Sequence, residues 1–108
     1  MDYEFEGQLF GNPEEEVGAH YPLVYRLDVF LGGLLQFAIH IEATPAQILG
    51  NPSLGGTGYD AYPGLSEQYR AVAEAKAQRV LEKWEPITDH SHRPLELYRW
   101  KWPRDEAD

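Results

Sequence analysis

Arg26, Asp28, His40 and Glu42 bring a cation, an imidazole and two carboxylates into one short stretch of the chain. Glu42 follows His40 by two positions, so both side chains project from the same face if this stretch is a β-strand. An imidazole next to a carboxylate is a pairing that general acid–base catalysis uses. On an open strand, however, the pair has no enclosed space in which to act. The chain has no G-x-S-x-G or H-E-x-x-H motif and no cysteine nucleophile, so these residues favour ligand binding over catalysis.

A metal site is the second chemistry that the histidines suggest. His90 and His92, added to His40 and Glu42, would supply histidine and carboxylate ligands of the kind that bind transition metals. Nothing in the sequence brings residues 90–92 to the strand that carries His40, and a His-x-His pattern is common in loops. We therefore predict no metal ion and no other cofactor.

The segment from residue 51 to residue 64 is rich in glycine and carries two tyrosines, Tyr59 and Tyr62. Its GGTG run falls short of a phosphate-binding loop, because no helix follows directly and the lysine of that motif is missing. Loops of this length without regular structure are usually functional or mobile. We expect the segment to close over a neighbouring surface, with Tyr59 and Tyr62 as its ligand-binding side chains.

A β-hairpin from Leu23 to Ala43 is the element that must position the first group of residues. Apolar and polar residues alternate on both sides of Gly32–Gly33, and the apolar positions of both strands are odd-numbered. A regular two-residue turn would pair odd with even positions and expose one apolar row to water. Either a three-residue loop with Leu31 opposite Leu35 or a β-bulge keeps both rows on one side. The three-residue loop is the simpler solution.

The register of this hairpin decides whether the polar residues form a patch. If Leu31 pairs with Leu35, Arg26 lies opposite His40 and Asp28 lies opposite Ala38. The polar side chains of Arg26, Asp28, His40 and Glu42 then share the face of the sheet that points away from the apolar rows.

The rest of the chain predicts further elements around the hairpin. Apolar and polar residues alternate over residues 3–9, which predicts a first strand with one face exposed to solvent. Thr44 to Gly50 has a threonine, a proline and a glutamine at the positions of a capping box, which indicates a short helix. Ser66 to about Glu85 is rich in alanine, with Ser66 as its N-cap and a proline behind it, and predicts one long helix. Leu95 to Trp102 predicts a last strand.

These elements predict a single α+β domain over residues 1–108. We expect a curved antiparallel sheet of about four strands with one long helix packed on one face. The order along the chain is three strands, a short helix, the long helix and a final strand.

The long helix and the last strand carry further candidate binding residues. Lys76 falls inside the apolar arc of the long helix. Its stem either covers apolar surface, or its ammonium group faces a cleft between helix and sheet and binds a ligand there. Tyr98, Trp100 and Trp102 share one face of the last strand. Because aromatic residues are enriched in oligomer interfaces, we assign these three to self-association.

Charge is distributed unevenly along the chain. The net charge is −9, and residues 1–69 carry ten acidic residues against one basic residue, Arg26. From Arg70 onward, eight basic residues meet eight acidic ones. Nucleic-acid binding requires clustered lysine and arginine, so this composition argues against it. An acidic surface instead suits a basic protein or a cationic small molecule.

The composition also bears on location. No apolar run approaches the roughly 20 residues that span a bilayer, and the first residues lack the basic and apolar regions of a signal peptide. The chain contains no cysteine. We expect a cytoplasmic protein that makes no membrane contact.

Together these observations predict a small acidic binding module, homo-oligomeric, that engages a basic or cationic partner through residues 1–69. One alternative is a small-molecule-binding protein or modest enzyme, gated by the 51–64 loop, with a pocket lined by Tyr25, Phe37, Tyr69 and Trp84. A second alternative is a nucleic-acid mimic that inhibits a basic protein, which requires carboxylates at regular, phosphate-like spacing on one surface.

Overall fold

The computed structural model describes residues 2–10, 22–50, 64–89 and 94–101. In chain order its elements are β1 (Tyr3–Phe10), β2 (Leu23–Leu31), β3 (Leu34–Ala43), α1 (Pro45–Leu49), α2 (Leu65–Leu81) and β4 (Leu97–Lys101). The four strands form one sheet, and α2 packs against β1, β2 and β3. The α+β class and the order of elements are as predicted.

The strands lie in the order β1-β2-β3-β4. β1 and β3 are both antiparallel to β2, as expected, but β4 runs parallel to β3. The two helices between β3 and β4 return the chain to the end of the sheet where β3 begins, which is the crossover that parallel neighbours need. The sheet is therefore mixed rather than wholly antiparallel. We call the side covered by α2 the core face and the opposite side the outer face.

The hairpin between β2 and β3 has a two-residue turn. Gly32 and Gly33 have φ values of 56° and 81°, and Leu31 pairs with Leu34. Two successive positive φ values are characteristic of a type I′ turn, whose twist matches that of the flanking strands. The predicted three-residue loop with Leu31 opposite Leu35 is therefore wrong.

A β-bulge resolves the parity problem instead. Val29 pairs with Phe37, whereas the next residue, Phe30, pairs with Leu35, so Gln36 is an extra residue in β3. The extra residue keeps the apolar rows together from Val29 and Phe37 onward. It also places Leu35 beside Phe30 on the outer face, which corrects the expectation that Leu35 belongs to the core row.

Gln36, the bulged residue, is 2% exposed and has both ends of its side-chain amide bonded. Its Oε1 accepts hydrogen bonds from Trp84 Nε1 at 3.0 Å and from the Ile87 backbone N at 2.7 Å. Its Nε2 donates to the carbonyl oxygens of Ile87 at 2.9 Å and Leu34 at 3.2 Å. One buried amide thus ties the chain that follows α2 to the sheet.

The core lies between α2 and the core face. Tyr69 of α2 is fully buried, donates its hydroxyl proton to the Ala43 carbonyl oxygen at 2.5 Å, and stacks on Tyr25 with ring centroids 6.2 Å apart. The strand residues that meet the helix are the predicted apolar rows, almost fully buried: Leu23, Tyr25, Leu27, Val29, Phe37, Ile39, Ile41 and Ala43.

Both ends of α2 differ from the prediction. Gly64, with φ of 76°, precedes the first residue Leu65, so Ser66 is inside the helix and is not its N-cap. The helix ends at Leu81 rather than near Glu85. Beyond it the backbone N–H groups of Lys83 and Trp84 bond three residues back instead of four, to Val80 O at 3.2 Å and to Leu81 O at 3.3 Å. Ending there directs Trp84 toward Gln36.

The short helix α1 has the predicted capping box. Thr44 Oγ1 accepts a hydrogen bond from Gln47 N at 3.1 Å, and Gln47 Oε1 accepts one from Thr44 N at 2.9 Å. Pro45 occupies the first turn, and Gly50 ends the helix with a left-handed φ of 69°.

Gly7 on β1 makes room for a buried tyrosine. A Cβ atom at this position would lie 1.8 Å from the Tyr25 hydroxyl oxygen. Tyr25 cannot easily withdraw, because its ring is 2% exposed and its hydroxyl is hydrogen-bonded to Arg70. Arg70 in turn donates to the Phe5 carbonyl oxygen at 3.2 Å and joins α2 to β1.

No helix in the described residues is long and apolar enough to span a bilayer.

Replacing Gln36 with leucine is expected to lower the free energy of unfolding by about 3 kcal/mol, since it strands the indole N–H of Trp84 and both backbone groups of Ile87. Urea denaturation followed by tryptophan fluorescence measures the loss. The matched control is Gln78→Leu at an exposed position of α2, which should change stability by less than about 0.5 kcal/mol. Equal effects of the two substitutions would contradict the role of the buried amide.

Replacing Gly7 with alanine is expected to destabilise the protein by about 1–3 kcal/mol, because the new methyl group overlaps the Tyr25 hydroxyl. The same substitution should be less harmful in a Tyr25→Leu background, which lacks the hydroxyl oxygen and the two ring carbons that the new Cβ would approach to 1.8, 2.6 and 2.9 Å. Thermal and urea unfolding of the two single variants and the double variant give the coupling between the positions. Simple additivity would show that the collision is not the cause.

Candidate functional site

A row of polar side chains crosses the middle of the outer face. Gln8 of β1 pairs with Arg26 of β2, Arg26 pairs with His40 of β3, and His40 pairs with Arg99 of β4. Residues paired in this way project from the same face, with Cβ atoms about 5 Å apart. The register expected for Arg26 and His40 is observed, and the structure adds Gln8 and Arg99 from the two edge strands.

Two ion pairs flank this row. Arg26 Nε lies 2.8 Å from Asp28 Oδ1, and their side chains are 34% and 27% exposed. Lys101 Nζ lies 3.4 Å from Glu42 Oε2, with greater exposure of both side chains. Pairs this accessible to water contribute about 0–1 kcal/mol each to stability. Their main consequence is local, because each neutralises a carboxylate next to His40.

His40 is half-buried between two guanidinium groups. Burial lowers the pKa of its imidazole below the usual value of 6.5, and the positive charges of Arg99 and Arg26 lower it further. Glu42 opposes these effects but contributes least. The neutral imidazole therefore predominates at pH 7, with one nitrogen able to donate a hydrogen bond and the other able to accept one.

This depressed pKa makes stability depend on pH. Between the two pKa values of His40 the unfolded chain binds more protons than the folded one, so folding is favoured above about pH 6.5 and that contribution is lost as the pH falls through the folded-state pKa. In His40→Gln, the unfolding free energy should decline less than in the wild type between pH 7.5 and pH 5. Urea denaturation across that range measures the difference. Parallel curves for the two proteins would contradict the depressed pKa.

A shallow cavity of about 160 Å³ opens on the outer face between β1 and β2. Its lining residues are Glu6, Gly7, Gln8, Phe10, Arg26 and Asp28. Glu6 lies directly opposite Asp28 in the strand pairing, so carboxylates from two neighbouring strands lie next to each other on the outer face. Glu6 is a site residue that the sequence alone does not indicate. Pairing the alternating residues of β1 with those of β2 would have placed Glu6 opposite Asp28. The sequence alone does not give the register between these two strands.

Lys76 lies on the other side of the sheet from this polar row. It is 9% exposed within α2, and its Nζ lies 5.4 Å from the centroid of the Trp100 ring, a cation–π arrangement. The structure therefore does not bring Lys76 together with Arg26, Asp28, His40 and Glu42. A role for its ammonium group in ligand binding stays a prediction from the sequence.

The aromatic residues of β4 continue the core. Tyr98 contacts Phe37 edge-on at 5.8 Å and stacks with Trp100 at 6.2 Å. Both are partly buried against the hydrophobic core. Trp102, Tyr59 and Tyr62 lie outside the described residues.

The aromatic rings expected to line a pocket are in contact with one another. Tyr25 stacks on Tyr69, and Phe37 meets Trp84 with ring centroids 4.8 Å apart. Tyr25, Phe37 and Tyr69 are at most 2% exposed. The four side chains thus form two ring pairs between helix and sheet.

In the described part of the chain, no cluster of three or more histidine, aspartate or glutamate side chains could hold a metal ion. His90 and His92 lie outside that part. The absence of a metal site and of a cofactor stays a prediction from the sequence.

Comparison with protein-family models, with curated proteins and with solved structures finds no match to this chain. The site must therefore be interpreted from its own geometry.

Proposed function

We propose that this protein is a small acidic binding module that holds a basic group of its partner in the cavity between β1 and β2. The basic group is a lysine or arginine side chain of a protein, or a cationic small molecule. The observation that carries the proposal is the pair of carboxylates, Glu6 and Asp28, that face each other at this cavity.

Like charges directly opposite each other on neighbouring strands destabilise a sheet. Arg26 compensates Asp28 through the 2.8 Å ion pair, but among the described residues no ion pair to Glu6 is seen. The cavity thus carries two carboxylates against one guanidinium group, a net negative charge. A bound cation would relieve the repulsion, so the arrangement favours a basic ligand.

Phe10 adds to the cavity an aromatic surface that can bind a cation. It is 45% exposed, which among the large hydrophobic residues that the structure describes is matched only by Leu95, and it lines the same cavity. An aromatic face attracts ammonium and guanidinium groups through its quadrupole. A guanidinium group is also flat and weakly hydrated, so it stacks on such a ring more readily than an ammonium group does.

The outer face gives less support to a nucleic-acid mimic. Within the described residues, Arg26, Arg99 and Lys101 interleave with the carboxylates of this face, whereas a mimic requires carboxylates in regular, uninterrupted spacing. The contacting rings between helix and sheet likewise give less support to a small-molecule pocket or an active site there.

Self-association through Tyr98, Trp100 and Trp102, and a cytoplasmic location, stay predictions from the sequence. Sedimentation of the full chain at tens of micromolar measures the first. A monomer at that concentration would end the self-association proposal without affecting the cavity.

Replacing Glu6 with glutamine is expected to weaken the binding of N-acetyl-arginine amide about fivefold, because one of two carboxylates at the cavity is lost. The same change should stabilise the protein by about 0.2–1 kcal/mol, since it removes the repulsion with Asp28. Chemical-shift changes in ¹⁵N spectra at low salt measure binding, and urea denaturation measures stability.

The matched control is Glu4→Gln, which removes the same charge from the same strand and face but lies opposite Phe30, outside the cavity. Glu4→Gln should change neither the binding of N-acetyl-arginine amide nor the free energy of unfolding appreciably. N-acetyl-citrulline amide, a neutral analogue, should not bind. If Glu4→Gln and Glu6→Gln weaken binding equally, only a general surface field acts and the cavity is not the site.

A further inference from the structure

We infer that the centre of the outer face, between Arg26, His40 and Arg99, is a binding site for a small oxyanion, a phosphate or carboxylate group. This site shares Arg26 with the cation-binding cavity, but it takes a ligand of opposite charge and goes beyond the proposed function. It rests on three adjacent positions of β2, β3 and β4 that present two guanidinium groups on either side of one imidazole.

Arg99 is the main donor of this site. It is exposed on the edge strand β4, next to His40 in the strand pairing. Within the described residues its guanidinium group makes no ion pair or hydrogen bond, in contrast to Lys101 of the same strand, which pairs with Glu42. A guanidinium group presents several N–H donors in a planar fork that suits phosphate and carboxylate oxygens.

Arg26 faces Arg99 from the other side of His40. Its ion pair with Asp28 uses Nε, and its two terminal nitrogens make no hydrogen bond or ion pair among the described residues. Neighbouring strands are about 4.8 Å apart, so the Arg26 and Arg99 backbones are separated by about 10 Å with His40 between them. Two long side chains can close on a small anion across that distance.

His40 supplies the donor at the centre. Its imidazole makes no hydrogen bond in the part of the chain that the structure describes, although it is half-buried. The groups that face it are Arg26 and Asp28 on β2, Glu42 on its own strand, Arg99 and Lys101 on β4, and the neutral Gln8 on β1. Because Asp28 and Glu42 are each paired with a cation, Arg99 provides the unbalanced charge of this half of the face.

Anion binding and protonation of His40 should favour each other. Burial lowers the pKa of His40 below its usual value and the two arginines lower it further, and an anion between them offsets their positive charge. The bound anion therefore favours the imidazolium form, which has two N–H donors instead of one.

The test is a titration of the full chain with inorganic phosphate at pH 7 and constant ionic strength, balanced with potassium chloride. The imidazole signals of His40, assigned with His40→Gln, report binding. We expect a saturable shift in the wild type and about tenfold weaker phosphate binding in Arg99→Gln. The matched control is Lys101→Gln, which removes the same charge from the same face of the same strand and should change phosphate binding less than about twofold.

A parallel titration with acetate separates the two sources of the oxyanion. Saturation by both anions assigns the site to oxyanions in general, and saturation by phosphate alone assigns it to phosphate groups. In saturating anion the pKa of His40 should rise relative to chloride. Failure of both anions to saturate, or equal weakening in Arg99→Gln and Lys101→Gln, would overturn the inference.

Discussion

The buried amide of Gln36 is the interaction on which the arrangement of this protein depends. As the bulged residue of β3 it lies at the point where the hairpin register shifts, and its side chain bonds to Trp84 and to both backbone groups of Ile87. The bulge holds the apolar rows of β2 and β3 on one face. The hydrogen bonds direct the chain that leaves α2 toward β3, beside which β4 then pairs. A one-residue slip of this register would move the apolar rows to the outer face and the polar residues to the core face.

The outer face is organised by that same register into two halves of opposite charge. Toward β1 it has Glu6 and Asp28 at a cavity, and toward β4 it has Arg99 and Lys101. The net charge of −9 conceals this division, because it sums charges that lie on different surfaces. At physiological ionic strength, screening over about 8 Å lets two sites of opposite preference lie on one small sheet.

Two features of this face work against folding. Glu6 faces Asp28, and the burial of His40 beside two arginines opposes folding when the pH is low enough to protonate its imidazole. Neither arrangement is required by the core, which lies on the other side of the sheet. Such local conflicts are typical of binding sites, where a ligand supplies the missing charge.

Local chemistry sufficed to predict the hairpin, the pairing of Arg26 with His40 and the capping box of Thr44 and Gln47, because alternation and capping depend on residues near in sequence. The parity of the apolar positions limited the turn to a loop or a bulge. Choosing between them needed tertiary contacts, since Gln36 is stable in a bulge only when residues some 50 positions away satisfy its amide. The same holds for the parallel direction of β4 and for the partners Glu6 and Arg99 of the outer face. Those depend on how separate strands align, and long-range register is decided by packing across the whole sheet, not by any one segment.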